Sequence, residues 1–192
     1  MIPSTAPHLV RFADCKPEPW ANGGGVTRVI ATGRFSRSSA DFDWRLSVAD
    51  VSTSGAFSTL PGVDRVITLA DGPGLLLTID GHEHTLDPFH PLPFAGEAST
   101  ECQVVEPTRD FNVMTRRDVC AASVTVCSGT EVIAVPLDSI GYVISLKGQV
   151  EVQLSRGAVI LNQFDTVLVT DASEVRVRDD GRAAVVQIGC RS

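Results

Sequence analysis

No stretch of this chain carries the i, i+3, i+4, i+7 apolar stripe that a helix of useful length needs. Its apolar residues fall instead into short runs rich in Val, Ile, Leu and Thr: "DWRLSVADV", "RVITLA", "LLLTID", "YVISLKG", "VEVQL", "AVILN" and "DTVLV". Gly, Pro, Asp and Asn separate these runs, as they separate strands. Asp-Gly pairs in "IDGHEH" and "RDDGRA" mark two tight hairpins. The expectation is an all-β protein with little helix. Its 192 residues suffice for one ordinary domain or two small ones.

The runs repeat. "RVITLADG" at 65–72 resembles "YVISLKG" at 142–148, and "TLDPFHPLPFAGEAS" at 85–99 aligns without gaps on "ILNQFDTVLVTDASE" at 160–174. Leu86 then meets Leu161, and Phe89 meets Phe164. This predicts two copies of a small antiparallel barrel, residues 1–118 and 119–192. The copies differ in kind, because the first holds both Trp and all four His. A functional site is therefore expected in the first copy, with the second as a plainer aliphatic scaffold or dimer surface.

Composition narrows the function. A hydrophobic fraction of 43% with 20% charged residues is that of a globular chain. A net charge of −7 argues against nucleic acid, which wants a basic stripe. No apolar run is long enough for a membrane helix, and "MIPSTAPHLVRF" lacks the pattern of a secretory signal, so the expected location is cytoplasmic. The five cysteines are scattered and never spaced C-x-x-C, which reads as buried small hydrophobes.

Four features could carry chemistry. "PWANGGGVTRVI" fails as a P-loop, since "VTRVI" follows the glycines and no lysine is near. It is either a bare backbone facing a ligand, with Asn22, Gly23, Gly24, Gly25, Thr27 and Arg28 around it, or a tight turn. Alternation in "DWRLSVAD" puts Arg45, Ser47 and Ala49 on one face and Trp44, Leu46 and Val48 on the other. Arg45 is either inside, meeting an anion, or outside, or paired with Asp50 or Asp110. Arg65 is a weaker candidate of the same type. "DFNVMTRR" places Asp110, Asn112 and Met114 together, as a pocket wall that Phe94 of "PFAGE" could close, or as a solvated edge strand. "HEH" at 82–84 could ligate a metal, but it follows a hairpin and its counterpart in the second copy has no histidine; both histidines read as exposed. No Cys–His pair or nucleophile elbow is legible.

Four long segments, "PWANGGGVTRVI", "DFDWRLSVADVSTSGAFSTLPGVDRVITLADG", "PFAGE" and "RDFNVMTRR", in this order, closely resemble the HutD/Ves family of two-barrel cupins. The resemblance implies a bicupin of two RmlC-like jelly-roll barrels, a cytoplasmic bacterial protein, and an association with histidine utilisation or, in the Ves branch, stress response. It tilts Arg45 toward the lumen. It implies a regulator that senses an intermediate such as urocanate or formyl- or formimino-glutamate. With no metal triad or acid–base pair legible in the sequence, the expected site is a pocket for a small carboxylate without metal or other cofactor. An enzyme, hydrolase or isomerase, acting on such a molecule is the competing reading, and a protein-interaction module the third. Two-barrel cupins are often dimers, so a homodimer is compatible with the resemblance.

Overall fold

The computed structural model describes residues 9–35, 41–136, 138–155, 157–169 and 173–191. Strands dominate. β1 (Leu9–Val10) is followed by a short 3-10 turn at Phe12–Asp14, the one helical element among the described residues. Then come β2 (Pro17–Pro19), β3 (Gly25–Gly33), β4 (Trp44–Val51), β5 (Gly55–Ala56), β6 (Val63–Asp71) and β7 (Leu75–Ile79). β8 (His82–Leu86), β9 (Leu92–Ala95), β10 (Thr100–Gln103) and β11 (Thr108–Arg116) complete the first run. The second run is β12 (Cys120–Cys127), β13 (Thr130–Ile133), β14 (Ser139–Lys147) and β15 (Val150–Leu154). It ends with β16 (Gly157–Leu161), β17 (Thr166–Val169), β18 (Ser173–Val177) and β19 (Arg182–Cys190).

The chain divides into two compact units, Lys16–Val119, and Met1–Cys15 together with Cys120–Ser192. The first unit pairs a six-stranded sheet, β2-β3-β4-β11-β6-β9, with a four-stranded one, β5-β10-β7-β8. The second unit has β1-β17-β14-β19-β12 and β13-β18-β15-β16. All strand pairings within these sheets are antiparallel, and as hydrogen-bonded ladders the four sheets are open.

The repeat read in the sequence is an architectural one. The order β4-β11-β6-β9 recurs as β12-β19-β14-β17, and β5-β10-β7-β8 recurs as β13-β18-β15-β16. Irregularities recur as well. A bulge breaks the β6–β11 register between Arg109 and Asp110, and another breaks β14–β19 between Ser145 and Lys147. Phe89 and Phe164 both hold φ of 66°, a conformation that side chains seldom adopt. Each is fixed by a backbone hydrogen bond, from Phe89 N–H to the Leu69 carbonyl at 2.8 Å and from Phe164 N–H to the Ser145 carbonyl at 2.6 Å. Only the first unit adds β2 and β3, the hairpin that contains the three glycines, outside the repeated set.

Each unit has its own core. Val143, Val150, Val152, Leu161, Val167 and Val175 centre one, and Ile67, Leu69, Leu75, Leu77 and Cys102 the other. In the second unit the carboxylate of Asp165 anchors the N-terminal segment. It accepts hydrogen bonds from Arg11 Nη1 at 2.6 Å, Phe12 N–H at 3.0 Å and Asn162 N–H at 3.1 Å, and Phe12 packs on Phe164 with ring centroids 5.0 Å apart. Asp165 is buried, so removing it leaves two backbone donors without an acceptor. Asp165→Ala is expected to lower unfolding free energy by about 2–3 kcal/mol. Hydrogen exchange should show early loss of protection at Phe12; unchanged protection there would show that the anchor contributes little.

Candidate functional site

Cross-strand register builds the site. Directly opposed residues share a face, so each row across the six-stranded sheet can be read from its partners. One row runs Thr32, Arg45, Met114, Arg65, Phe94. The next row on that face is Val29, Ser47, Asn112, Ile67, Leu92, and the third is Thr27, Ala49, Asp110, Leu69. The face is therefore cationic at one end, amide and hydroxyl in the middle, and carboxylate at the other. Ala49, Ile67, Leu69, Leu92 and Phe94 of this face belong to the cluster that also holds Leu75, Leu77 and Cys102 of the four-stranded sheet.

Where Arg45 and Arg65 stand, the interior opens into a cavity of about 480 Å³. Its wall includes Trp20, Asn22, Thr27, Arg45, Phe57, Arg65 and Met114. The Arg65 guanidinium carbon lies 4.9 Å from the Phe94 ring centroid and 5.1 Å from that of Phe57, held between two aromatic faces. Its Nη2 donates to Asn112 Oδ1 at 3.0 Å, and Asn112 Nδ2 donates in turn to Asp110 Oδ1. Arg45 lies 5.0 Å from the Phe42 ring, with Nη2 3.1 Å from Met114 Sδ. Nε of each arginine is buried and has no hydrogen-bond partner among the described residues.

These charges are under strain. Burial pushes Arg65 down to about 10; Asp110 works against this shift and the Arg45 charge adds to it. Burial also lowers Arg45, with Glu18 opposing. Asp110 is pushed up to about 7, first by burial, against the pull of Arg65 and the Asn112 hydrogen bond, and with a further push from Asp50. Two cations sharing one water-poor face are stabilised by an anion placed between them.

Asn22, Thr27, Arg45, Arg65 and Met114 thus meet at one cavity, with Phe94 packed on Arg65 and Asn112 and Asp110 in line behind it. Ser47 is buried on the same face opposite Asn112. Arg28 is elsewhere. It follows Thr27 directly, so period two turns it to the other face, where Arg28 and Arg109 both pair with Asp50. A separate cavity of about 330 Å³ on that side is lined in part by Gly23, Gly25, Asp50, Thr108 and Arg109.

The glycines serve a close approach. Gly23, with φ of 71°, donates to the Trp20 carbonyl at 2.9 Å, and Gly24 donates to Asn22 Oδ1 at 3.0 Å. Both N–H groups are therefore used within the turn. A Cβ on Gly25 would stand 2.5 Å from the Asp50 carbonyl oxygen and 3.1 Å from the Trp20 ring. Glycine lets Trp20 fold onto the strand, where its Nε1 donates to Thr27 Oγ1 at 2.7 Å and its ring meets Phe57 edge-on.

Phe57 is a wall residue that sequence reasoning passed over, while Trp20 both packs on Gly25 and lines the cavity. Phe57 follows a two-residue strand, too short for any alternation to signal its direction. His82 is exposed and His84 half-buried on β8, and among the described residues no three His, Cys, Asp or Glu side chains converge on a metal position. No helix among the described residues is long and apolar enough to cross a membrane.

Two duplicated sheet pairs and a polar cavity inside one of them define a cupin-like protein. The cupin 2 conserved barrel domain protein of Leptotrichia buccalis superposes with a TM-score of 0.59 at 8% identity, over 87% of this chain and 89% of its own, a likeness of fold alone. The HutD family model matches residues 12–186, and the chain belongs to that family. It is 40% identical over 142 residues to Protein Ves of Cronobacter sakazakii (strain ATCC BAA-894), covering 71% of this chain and 77% of that one. It also superposes on HutD from Pseudomonas fluorescens SBW25 (formate condition) with a TM-score of 0.84 at 30% identity, over 96% of this chain and 98% of the other.

Two outcomes are expected. Gly25→Ala should destabilise the protein by about 1–3 kcal/mol in urea denaturation, since backbone and an indole ring must both give way. A loss below about 0.5 kcal/mol would show that Trp20 moves freely. Asp110, raised on folding, binds a proton that the unfolded chain has already released between its ordinary value of 3.8 and about 7. Its contribution to stability is therefore complete below that window and is lost as pH rises through it. The stability difference between wild type and Asp110→Asn should follow this slope, measured by denaturation across the window.

Proposed function

We propose that this protein is a two-barrel cupin whose first barrel binds a small carboxylate in the Arg45–Arg65 cavity without a metal, and that it acts as a sensor rather than a catalyst. The observation that carries the reading is two guanidinium groups on one cavity wall, each with an Nε donor that has no hydrogen-bond partner among the described residues. A carboxylate accepts from two such forks at once. Thr27 and Asn22 line the wall beside the arginines, and Phe57 and Trp20 give flat apolar faces for a short acyl or unsaturated chain. Family resemblance points to an intermediate of histidine breakdown: urocanate, or a formyl or formimino derivative of glutamate.

A sensing role is favoured because, among the described residues, the titratable groups of the wall are the two arginines, which make no acid–base pair, and Asp110 stands behind them. The test is a thermal-shift screen of metal-stripped protein against urocanate, formyl- and formimino-glutamate, histidine, glutamate and short-chain acids, with and without divalent metals. A ligand present at one hundred times its Kd should add about 2.7 kcal/mol of stability. Arg45→Ala and Arg65→Ala should each weaken that ligand about 10- to 100-fold, the loss of a charge-assisted hydrogen bond. Unchanged affinity in both variants would remove the cavity from the reading, and turnover by pure protein would replace the sensor with an enzyme.

A further inference from the structure

One buried group has no part in that reading. Asp110 is 1% exposed and stands two rows from Arg65 on the same face of the sheet. Its Oδ1 accepts from Asn112, whose own Oδ1 accepts from Arg65, while its Oδ2 has no hydrogen-bond partner among the described residues. Arg65 lines the cavity while Asp110 and Asn112 do not, so the three residues connect a sealed carboxylate to a guanidinium of the cavity wall.

We propose that Asp110 is an internal competitor for the ligand's charge: ionised, it draws on Arg65 through Asn112, and protonated, it leaves Arg65 to an entering carboxylate. This inference rests on the carboxylate reading of the cavity and adds its regulation.

Few other charges face Asp110. On its own strand the neighbouring Arg109 turns to the opposite face and pairs with Asp50. Asp50 of β4, which also pairs with Arg28 of β3, pushes Asp110 upward, and Arg65 of β6 pulls it down. Arg45 of β4 acts on Arg65 in turn, and Glu18 of β2 acts on Arg45. From β10 across the core comes the Cys102 thiol, raised by burial and in part by the Asp110 charge. β7, β8 and β9 bring Leu75, Leu77, Leu86 and Leu92 to this core. The positive charge that holds Asp110 ionised is thus the one a ligand would engage.

The sign follows from linkage. A carboxylate seated on Arg65 cancels potential that had favoured ionised Asp110, so proton affinity at Asp110 rises on binding. Between the free and bound midpoints of Asp110, binding takes up a proton, and affinity falls as pH rises through that window. A shift of one pH unit in that midpoint corresponds to about a tenfold loss of affinity across the titration. The same coupling affects selectivity. With Asp110 ionised, the two arginines and the acid leave one net positive charge, matched by a monocarboxylate. With Asp110 protonated they leave two, matched by a dicarboxylate.

The experiment is a carbon-13 titration of the aspartate carboxyl carbons in the full-length protein. Asp110 would be assigned through the backbone, so that no variant need fold. Spectra are taken from about pH 5 to about pH 9, alone and with acetate or glutarate. A midpoint near neutrality that moves up by about one unit with either acid is the expected result. A midpoint near that of an ordinary aspartate overturns the inference and leaves the carboxylate reading standing. An elevated midpoint that neither acid moves also overturns it, and thermal shift on the same samples then decides whether the carboxylate reading falls too. Affinity of Asp110→Asn for glutarate should be about flat over this range; a slope equal to wild type would count against Asp110 as the coupled group.

Discussion

A guanidinium inside a small β-protein needs something to replace the water it has lost, and in this molecule Arg65 is that case. Two phenyl rings and one amide oxygen take the place of solvent. Cation–π contacts of this kind contribute about 2 kcal/mol when desolvated, against a penalty of several kcal/mol for burying the ion. The residual cost is what the proposed carboxylate would offset. Phe94 must come from β9 and Phe57 from beyond β5, so both sheets of the unit have to be in place before the charge is tolerated.

The face that holds Arg65 is divided along its length. Ala49 and Leu69 flank Asp110, while Arg45, Met114 and Phe94 accompany Arg65 in the cationic row. The same strands therefore serve as core at one end and as site at the other. In the second unit the corresponding strand β14 is buried through Ile140–Leu146 and carries Tyr142, Ile144 and Leu146 at 2% exposure or less. The same strand arrangement thus occurs twice, with an apolar and aromatic series in the second unit where the first carries Arg65.

Much of the fold was legible because a strand announces itself by period and punctuation. Phe89 and Phe164 aligned in sequence because both occupy the same positive-φ turn. Alternation also put Arg45 with Ser47, and Asp110 with Asn112 and Met114, which the register joins into adjacent rows. Alternation cannot say which strands are neighbours, and so the chain of contacts from Arg65 through Asn112 to Asp110 was not visible. Nor could it place the glycines. Their bareness suits an indole ring from five residues upstream of Gly25, and the distance between ring and backbone is a tertiary fact. Thr27 and Arg28 were grouped together in sequence, whereas a strand allows only one of two neighbours to face inward.

Residues 9–15 belong to the unit built otherwise from the end of the chain: β1 pairs with β17, and Arg11 and Phe12 dock on Asp165. That unit is discontinuous, while Lys16–Val119 is a single uninterrupted segment. During synthesis the uninterrupted unit has all its strands as soon as Val119 has emerged. β1 has no partner in its sheet until β17 has also been made. Pairing of β1 with β17 therefore has to follow completion of the Lys16–Val119 segment.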